Sequence, residues 1–303
     1  MEMRQVFVEE LERLMKADER VCVIDADLAR ASGTLKLREI FPERALDVGV
    51  AEANMASVAA GMASYGYIPF ITTFAPFATR RMCDQFALSI CYADTNVKVV
   101  GTDPGITAEL NGGTHMAFED MSIVRTFPNV VIFEPVDVEQ LRQAMPAIVD
   151  YKGPMYIRLA RKPQPDVFDS SYKFDMFKAD VIKEGTDITI LATGIMVAKA
   201  VEAVKILADK GVNAELINVH TLKPLDKDTI LKSIKKTNKV LTVENHSIVG
   251  GLYGAIAELT AAEYPVKISR IGIEDVSGQV GKLDELADIY KLTTEEIVAK
   301  AEK

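Results

Sequence analysis

The chain alternates short β-rich runs with helical stretches along most of its length, and this pattern restricts the folds open to it. Alternation of this kind is typical of helices packed on a mainly parallel sheet. In the first half, the pattern predicts strands at 21–25, 68–73, 97–101, 130–133 and 155–159, and helices near 3–17, 52–65, 75–93 and 137–150. The predicted fold class is therefore α/β.

A second alternating unit follows a break in the pattern. The segment 162–172 contains two prolines and two serines and has no clear periodicity, as expected of a connection between domains. We therefore expect a first domain at 1–165, a linker at 166–180 and a second domain at 181–303, each with a mostly parallel sheet flanked by helices. Strands are predicted near 188–192, 214–219, 240–243 and 267–272, and helices near 195–210 and 250–263.

Charge and cysteine content exclude several classes of protein. The formal net charge of -9 disfavours non-specific binding to nucleic acid or to anionic membranes. The three cysteines lack the spacing of metal ligands, and Cys22 lies in an apolar run, so packing roles are expected and no metal site is predicted. Without a signal-peptide pattern or a membrane-length apolar run, the expected location is the cytoplasm.

The segment 47–63 places one carboxylate at the start of a helix that is rich in alanine and glycine. Small side chains let another backbone or a flat ligand approach closely, so Glu52 has room to meet one. An acid in a first helical turn also has an ordinary explanation, because it interacts favourably with the helix dipole. The residues around Glu52 therefore decide between the two interpretations.

Several motifs follow one another in a recognisable order along nearly the whole chain. They are Gly49-Val-Ala-Glu52, Pro69-Phe-Ile-Thr-Thr-Phe-Ala-Pro-Phe77, Asn111-Gly-Gly-Thr-His115, Leu222-Lys-Pro-Leu-Asp226 and Val243-Glu-Asn-His-Ser247. In this order the set resembles the pyrimidine-binding and carboxy-terminal domains of the transketolase family of thiamine diphosphate enzymes. Each motif is weak alone, and their ordered occurrence makes the resemblance specific.

The resemblance implies a cofactor site in the first domain. Glu52 would bind the aminopyrimidine and favour its imino tautomer, while Phe74 and Phe77 would pack around the ring. Asp27 lies 23 positions after Arg4, the separation found in transketolases, and is assigned to the cofactor. Without this context, the two phenylalanines would be interpreted as ordinary core residues. Arg80 stands where the family usually has a third aromatic residue, so that wall of the pocket is undefined.

The same resemblance implies a site for a phosphorylated sugar. Arg4 and Arg161 would bind the phosphate and Ser32 would offer a hydroxyl, since a guanidinium group donates to two oxygens at once. Asn111 and His115 would contact the substrate, with His115 also acting in catalysis. An isolated arginine is more often a solvated surface charge. The role of Asp103 stays open, and His220 and His246 are expected to be structural.

The family's Gly-Asp-Gly motif, which supplies ligands for Mg²⁺ and diphosphate, does not occur here. The chain therefore resembles the carboxy-terminal subunit of a split transketolase. Such a subunit would share thiamine diphosphate and Mg²⁺ with an amino-terminal partner subunit, in an expected heterotetramer that moves a ketol unit between sugar phosphates. Alternatives are half of a 1-deoxyxylulose-5-phosphate synthase-like enzyme, a decarboxylase β-subunit of a 2-oxoacid dehydrogenase, or a non-catalytic scaffold subunit.

Overall fold

The computed structural model describes all 303 residues and contains two sheets with helices on their faces. The α/β fold class is therefore confirmed. The strands are β1 (Val21–Asp25), β2 (Ala45–Asp47), β3 (Ile68–Phe74), β4 (Lys98–Thr102), β5 (Val131–Phe133), β6 (Met155–Leu159), β7 (Asp180–Lys183), β8 (Ile188–Ala192), β9 (Ala214–Asn218), β10 (Thr221–Lys223), β11 (Val240–Ser247) and β12 (Ile268–Ile273).

Twelve α-helical segments accompany the strands, several of them only one turn long. They are α1 (Met3–Ala17), α2 (Ala29–Ser32), α3 (Leu35–Ile40), α4 (Glu52–Ser64), α5 (Cys83–Gln85), α6 (Asp120–Arg125), α7 (Val138–Asp150), α8 (Met196–Asp209), α9 (Lys227–Thr237), α10 (Leu252–Glu263), α11 (Leu283–Ile289) and α12 (Thr294–Ala301). No helix is both long enough and apolar enough to cross a membrane.

The first sheet has seven strands in the order β10-β5-β6-β4-β3-β1-β2. All neighbours are parallel except β10, which pairs antiparallel with β5. Strands β1, β4 and β6 are buried along their whole length, as expected for a parallel sheet covered on both faces. Parallel connections align the carboxyl ends of these strands, and ligands bind at that edge in open α/β sheets.

The second sheet has five strands in the order β12-β11-β8-β9-β7. Its edge strand β7 is antiparallel to β9, and the other pairs are parallel. Helix α9 begins at a sequence-encoded cap, because the Asp226 carboxylate accepts the backbone N–H of Thr229. Asp137 caps α7 in the same way through the N–H of Gln140.

The two sheets are joined by more than the 166–180 segment. Strand β10 lies beyond the 166–180 segment in sequence, yet it completes the first sheet. On β6, two strands from β10, the fully buried Arg158 guanidinium pairs with Asp120 at 2.8 Å and with Glu134 at 2.5 Å. It also donates to the Asn245 carbonyl at 2.7 Å, and Thr193 donates to Glu134 at 2.9 Å. Polar groups from both sheets thus form one buried network.

Two of the differences from the sequence-based expectation lie in the stretches 75–93 and 102–119. The helix predicted over 75–93 is instead a π-helix at Phe77–Arg81, the single turn α5 and a second π-helix at Phe86–Tyr92. Within it, the Thr79 hydroxyl donates to the Ala75 carbonyl, a contact that competes with regular helical bonding. The predicted irregular stretch 102–119 contains a 3₁₀ helix at Gly105–Asn111.

Candidate functional site

Two predicted site residues, Phe74 and Arg161, meet at the carboxyl edge of the first sheet together with Asp103, whose role the sequence left open. Phe74 ends β3, Asp103 follows β4 and Arg161 lies two residues after β6. These strands are adjacent and in register, since Phe74 pairs with Thr102 and Thr102 with Leu159. The fold therefore brings together side chains that are separated by up to 87 positions in the sequence.

Glu52 is the first residue of α4, and its side chain is only 2% exposed. One carboxylate oxygen, Oε1, accepts a hydrogen bond from Nη1 of Arg81 at 2.7 Å. The Arg81 guanidinium lies 3.8 Å above the centre of the Phe77 ring, while 45% of its side chain remains exposed. A buried acid thus faces a planar cation that is stacked on an aromatic ring.

An aromatic cluster continues from this pair. The rings of Phe74 and Phe77 are 6.0 Å apart, and the His115 imidazole lies edge-on to both, at 5.8 Å from Phe74 and 5.3 Å from Phe77. His115 Nδ1 also contacts the Thr114 hydroxyl at 2.9 Å. The structure therefore places the predicted catalytic histidine against the two predicted ring-packing residues.

Arg161 lies at the Phe74 end of the aromatic cluster. Its guanidinium carbon is 5.4 Å from the centre of the Phe74 ring, and Nη2 lies 2.6 Å from Oδ2 of Asp103. Asp103 is buried in the left-handed backbone region at a φ of 52°, and its Oδ1 has no hydrogen-bond partner. Burial raises the pKa of Asp103 to about 6 in spite of the opposing effect of Arg161.

Arg4 and Ser32 lie beside this edge with their polar groups already engaged. The backbone N–H of Arg4 donates to the Arg161 carbonyl at 3.3 Å, whereas its guanidinium pairs with Glu2 at 2.7 Å and donates to Ala31. The Ser32 hydroxyl is buried and lies 3.0 Å from Oδ1 of Asp25. In this structure, Ser32 belongs to a buried network rather than to the exposed edge.

Three other residues named in the sequence analysis, Asp27, Asn111 and Arg80, each have a polar partner within the chain. Asp27 is exposed just beyond β1 at a φ of 59°, with its N–H donated to the Asp47 carboxylate. Asn111 ends the 3₁₀ helix, is exposed and donates to the Ala108 carbonyl at 3.0 Å. Arg80 pairs with Glu119 at 3.1 Å.

Sequence reasoning missed Arg81 and the partnership of Arg161 with Asp103. Arg81 lies four positions after Phe77, a spacing that puts two side chains on one helical face, and this was the available signal. No local pattern links Asp103 to Arg161, because they meet only when β4 and β6 pair. No group of three or more His, Cys, Asp and Glu side chains is arranged to hold a metal ion.

The two other histidines lie away from this edge, in buried surroundings. His220 Nε2 is 2.7 Å from the Lys178 carbonyl oxygen, and His246 Nδ1 is 2.7 Å from that of Ser247. Burial lowers the pKa of each imidazole to about 4. Both are therefore neutral at physiological pH.

Comparison with known proteins gives concordant matches over nearly the whole chain. Residues 1–165 match the family model "Transketolase, pyrimidine binding domain", and residues 177–297 match "Transketolase, C-terminal domain". The 6-deoxy-6-sulfo-D-fructose transketolase subunit of Clostridium sp. strain MSTE9 is 50% identical, over 99% of this chain and 93% of that protein. An apulose-4-phosphate transketolase subunit from Phocaeicola vulgatus is 34% identical, over 98% and 96%. A solved structure described as "Split gene transketolase, inactive beta4 tetramer" superposes with a TM-score of 0.92 at 38% identity, covering 100% of this chain and 97% of that one.

Proposed function

The chain belongs to the transketolase family, and we propose that it is the carboxy-terminal subunit of a split transketolase that moves a two-carbon ketol unit between sugars. In this proposal, residues 1–165 bind the pyrimidine half of thiamine diphosphate, 166–180 connect, and 181–303 form the carboxy-terminal domain. The family relationship implies dependence on thiamine diphosphate, and relatives that are named as subunits support an amino-terminal partner.

The observation that carries the proposal is the environment of Glu52. Its buried carboxylate accepts a hydrogen bond from a planar, positively charged group, and that group is stacked on Phe77. An aminopyrimidine ring offers the same two features, a flat face and an N–H directed at the acid, so these residues fit the cofactor. Thiamine diphosphate would supply the carbon nucleophile, while the protein holds a proton at Glu52 and excludes water with Phe74 and Phe77.

The proposed substrate roles follow from where each residue lies relative to Phe74 and Phe77. His115 lies against both phenylalanines and would donate or accept a proton at a substrate oxygen. Asn111 would contact a hydroxyl, while Arg161 and Arg4 would bind the terminal anion of the sugar, with Ser32 and Asp27 lining the neighbouring loop. Phosphate is the group expected from the family, and sulfonate is the group in the name of the 50% identical relative.

The partner would provide the remaining ligands. Mg²⁺ and the diphosphate would be held by an amino-terminal subunit carrying the Gly-Asp-Gly motif, within a heterotetramer of two copies of each chain. Exposed apolar side chains near the site, Val50 and Leu110, are 71% and 65% accessible, and they would be covered by that partner.

A donor comparison on the reconstituted complex tests this proposal. The chain is purified with its partner, supplied with thiamine diphosphate and Mg²⁺, and assayed with xylulose 5-phosphate or pyruvate as donor and an aldose phosphate as acceptor. Ketol transfer from the first donor alone is the expected result. Condensation or acetyl release from pyruvate would instead favour a 1-deoxyxylulose-5-phosphate synthase-like enzyme or a dehydrogenase subunit. A folded complex without turnover on either donor would favour a scaffold subunit.

A further inference from the structure

The candidate anion site at Arg161 also contains an acidic residue, Asp103, whose negative charge repels anions. Arg161 is the guanidinium next to Phe74, yet Asp103 occupies it at 2.6 Å. Asp103 is buried, so its charge is weakly screened, and its second oxygen has no hydrogen-bond donor. An anion that approaches Arg161 must therefore approach the Asp103 carboxylate as well.

Most of the neighbouring cations are already paired with carboxylates. Arg4 is paired with Glu2 and Lys162 with Glu109, while Lys36 shares Glu12 with Lys16. Arg30, which lines the same pocket as Arg4 and Lys36, forms no ion pair and is exposed to solvent. Much of the positive charge beside the candidate anion site is thus offset before any ligand binds.

We infer that Asp103 determines the charge selectivity of this site, so that a sugar with a singly charged terminal group, such as a sulfonate, binds there more tightly than the corresponding phosphate dianion. The inference rests on the proposed function, which places the terminal anion of the substrate at Arg161. A phosphate ester carries close to two charges above its second pKa of about 6, whereas a sulfonate carries one.

The physical basis is that Coulomb repulsion scales with the charge of the ligand. Asp103 therefore weakens binding of a dianion by the square of the factor by which it weakens binding of a monoanion at the same position. Arg161 can still donate two hydrogen bonds to either group, because its guanidinium has five N–H donors. A phosphate and a sulfonate differ little in shape and hydrogen bonding, so their difference in charge determines which of them binds more tightly.

The test uses two probes of similar length, glycerol 3-phosphate and 2,3-dihydroxypropane-1-sulfonate. Their dissociation constants are measured at pH 8 by calorimetric titration of the complex with the partner, and no turnover is required. We expect the wild-type complex to bind the sulfonate more tightly. Asp103→Asn should strengthen binding of the phosphate about tenfold and of the sulfonate about threefold. Asparagine tolerates the left-handed backbone at this position, so the variant is expected to fold.

Glu109→Gln is the matched control, because it removes one negative charge from the same loop without touching Arg161. It should change the ratio of the two dissociation constants less than Asp103→Asn does, because the charge that it removes pairs with Lys162 rather than with Arg161. The inference is overturned if Asp103→Asn weakens both probes, which would mean that the carboxylate only orients Arg161. Equal strengthening of both probes, or no change, would also overturn it. If the wild-type complex shows no ketol transfer, the proposed function fails. The binding constants would still test the charge selectivity, because their measurement requires no turnover.

Discussion

Removing the Arg81 side chain should tighten binding of thiamine diphosphate. Arg81 makes the two contacts expected of the aminopyrimidine, a hydrogen bond to Glu52 and a stack on Phe77. A hydrogen bond to a charged group contributes about 1.5–3 kcal/mol, and an exposed cation–π contact about 0.5–1 kcal/mol. Because 45% of the Arg81 side chain is exposed, screening reduces the total to about 1–2 kcal/mol.

The cofactor must displace these contacts, so Arg81→Ala is expected to lower its dissociation constant by about 5- to 30-fold. Calorimetric titration of the complex with thiamine diphosphate and Mg²⁺ measures the change. Arg80→Ala serves as the control, since Arg80 contacts Glu119 and the Thr114 carbonyl and leaves Glu52 untouched. Weaker binding by the Arg81 variant would refute the reasoning, because it would make Arg81 a ligand of the cofactor.

Three further predictions concern catalysis and stability. Glu52→Gln should reduce ketol transfer about 10²–10⁴-fold without unfolding the chain, and full turnover in the reconstituted enzyme would remove Glu52 from the mechanism. Arg158→Met should lower the free energy of unfolding in urea by about 3–5 kcal/mol, because Asp120 and Glu134 lose their shared cation while buried; a change below about 1 kcal/mol would contradict this. The pKa of Asp103 is about 6 in the folded chain, against an ordinary value of 3.8. Between these two pH values the folded chain holds a proton that the unfolded chain has released, so the free energy of unfolding falls as the pH rises from about 4 to above 6. Between pH 4 and pH 7, the wild type should lose about 2 kcal/mol of unfolding free energy relative to Asp103→Asn, and parallel pH profiles would contradict the assignment.

Sequence periodicity located the long elements well because their signal is local. Strands β1, β6 and β8 lie at the predicted residues, since each has five consecutive buried positions that are mostly apolar. Strands β2 and β10 have three residues each and were not predicted, and β10 is specified by its pairing with β5. Helices α9, α11 and α12 were also not predicted.

In the candidate site, too, features that depend on neighbouring residues were predictable, whereas contacts between residues far apart in the sequence were not. The first-turn position of Glu52 and the proximity of Phe74 to Phe77 follow from short segments, and the structure has both features. The Asp103–Arg161 pair depends on strand order, and Arg81 reaches Glu52 from 29 positions away. Roles in binding and catalysis remain predictions for all of these residues.

The pairing of β10 with β5 also determines how the chain responds to cleavage. A fragment ending near residue 165 would present β5 as an open edge, a template for aggregation, and Arg158 would lose the Asn245 carbonyl. A nick in the 166–180 segment should therefore leave two pieces that stay associated and melt in a single transition. Gene fission at this point is expected to produce fragments that are insoluble when they are made separately.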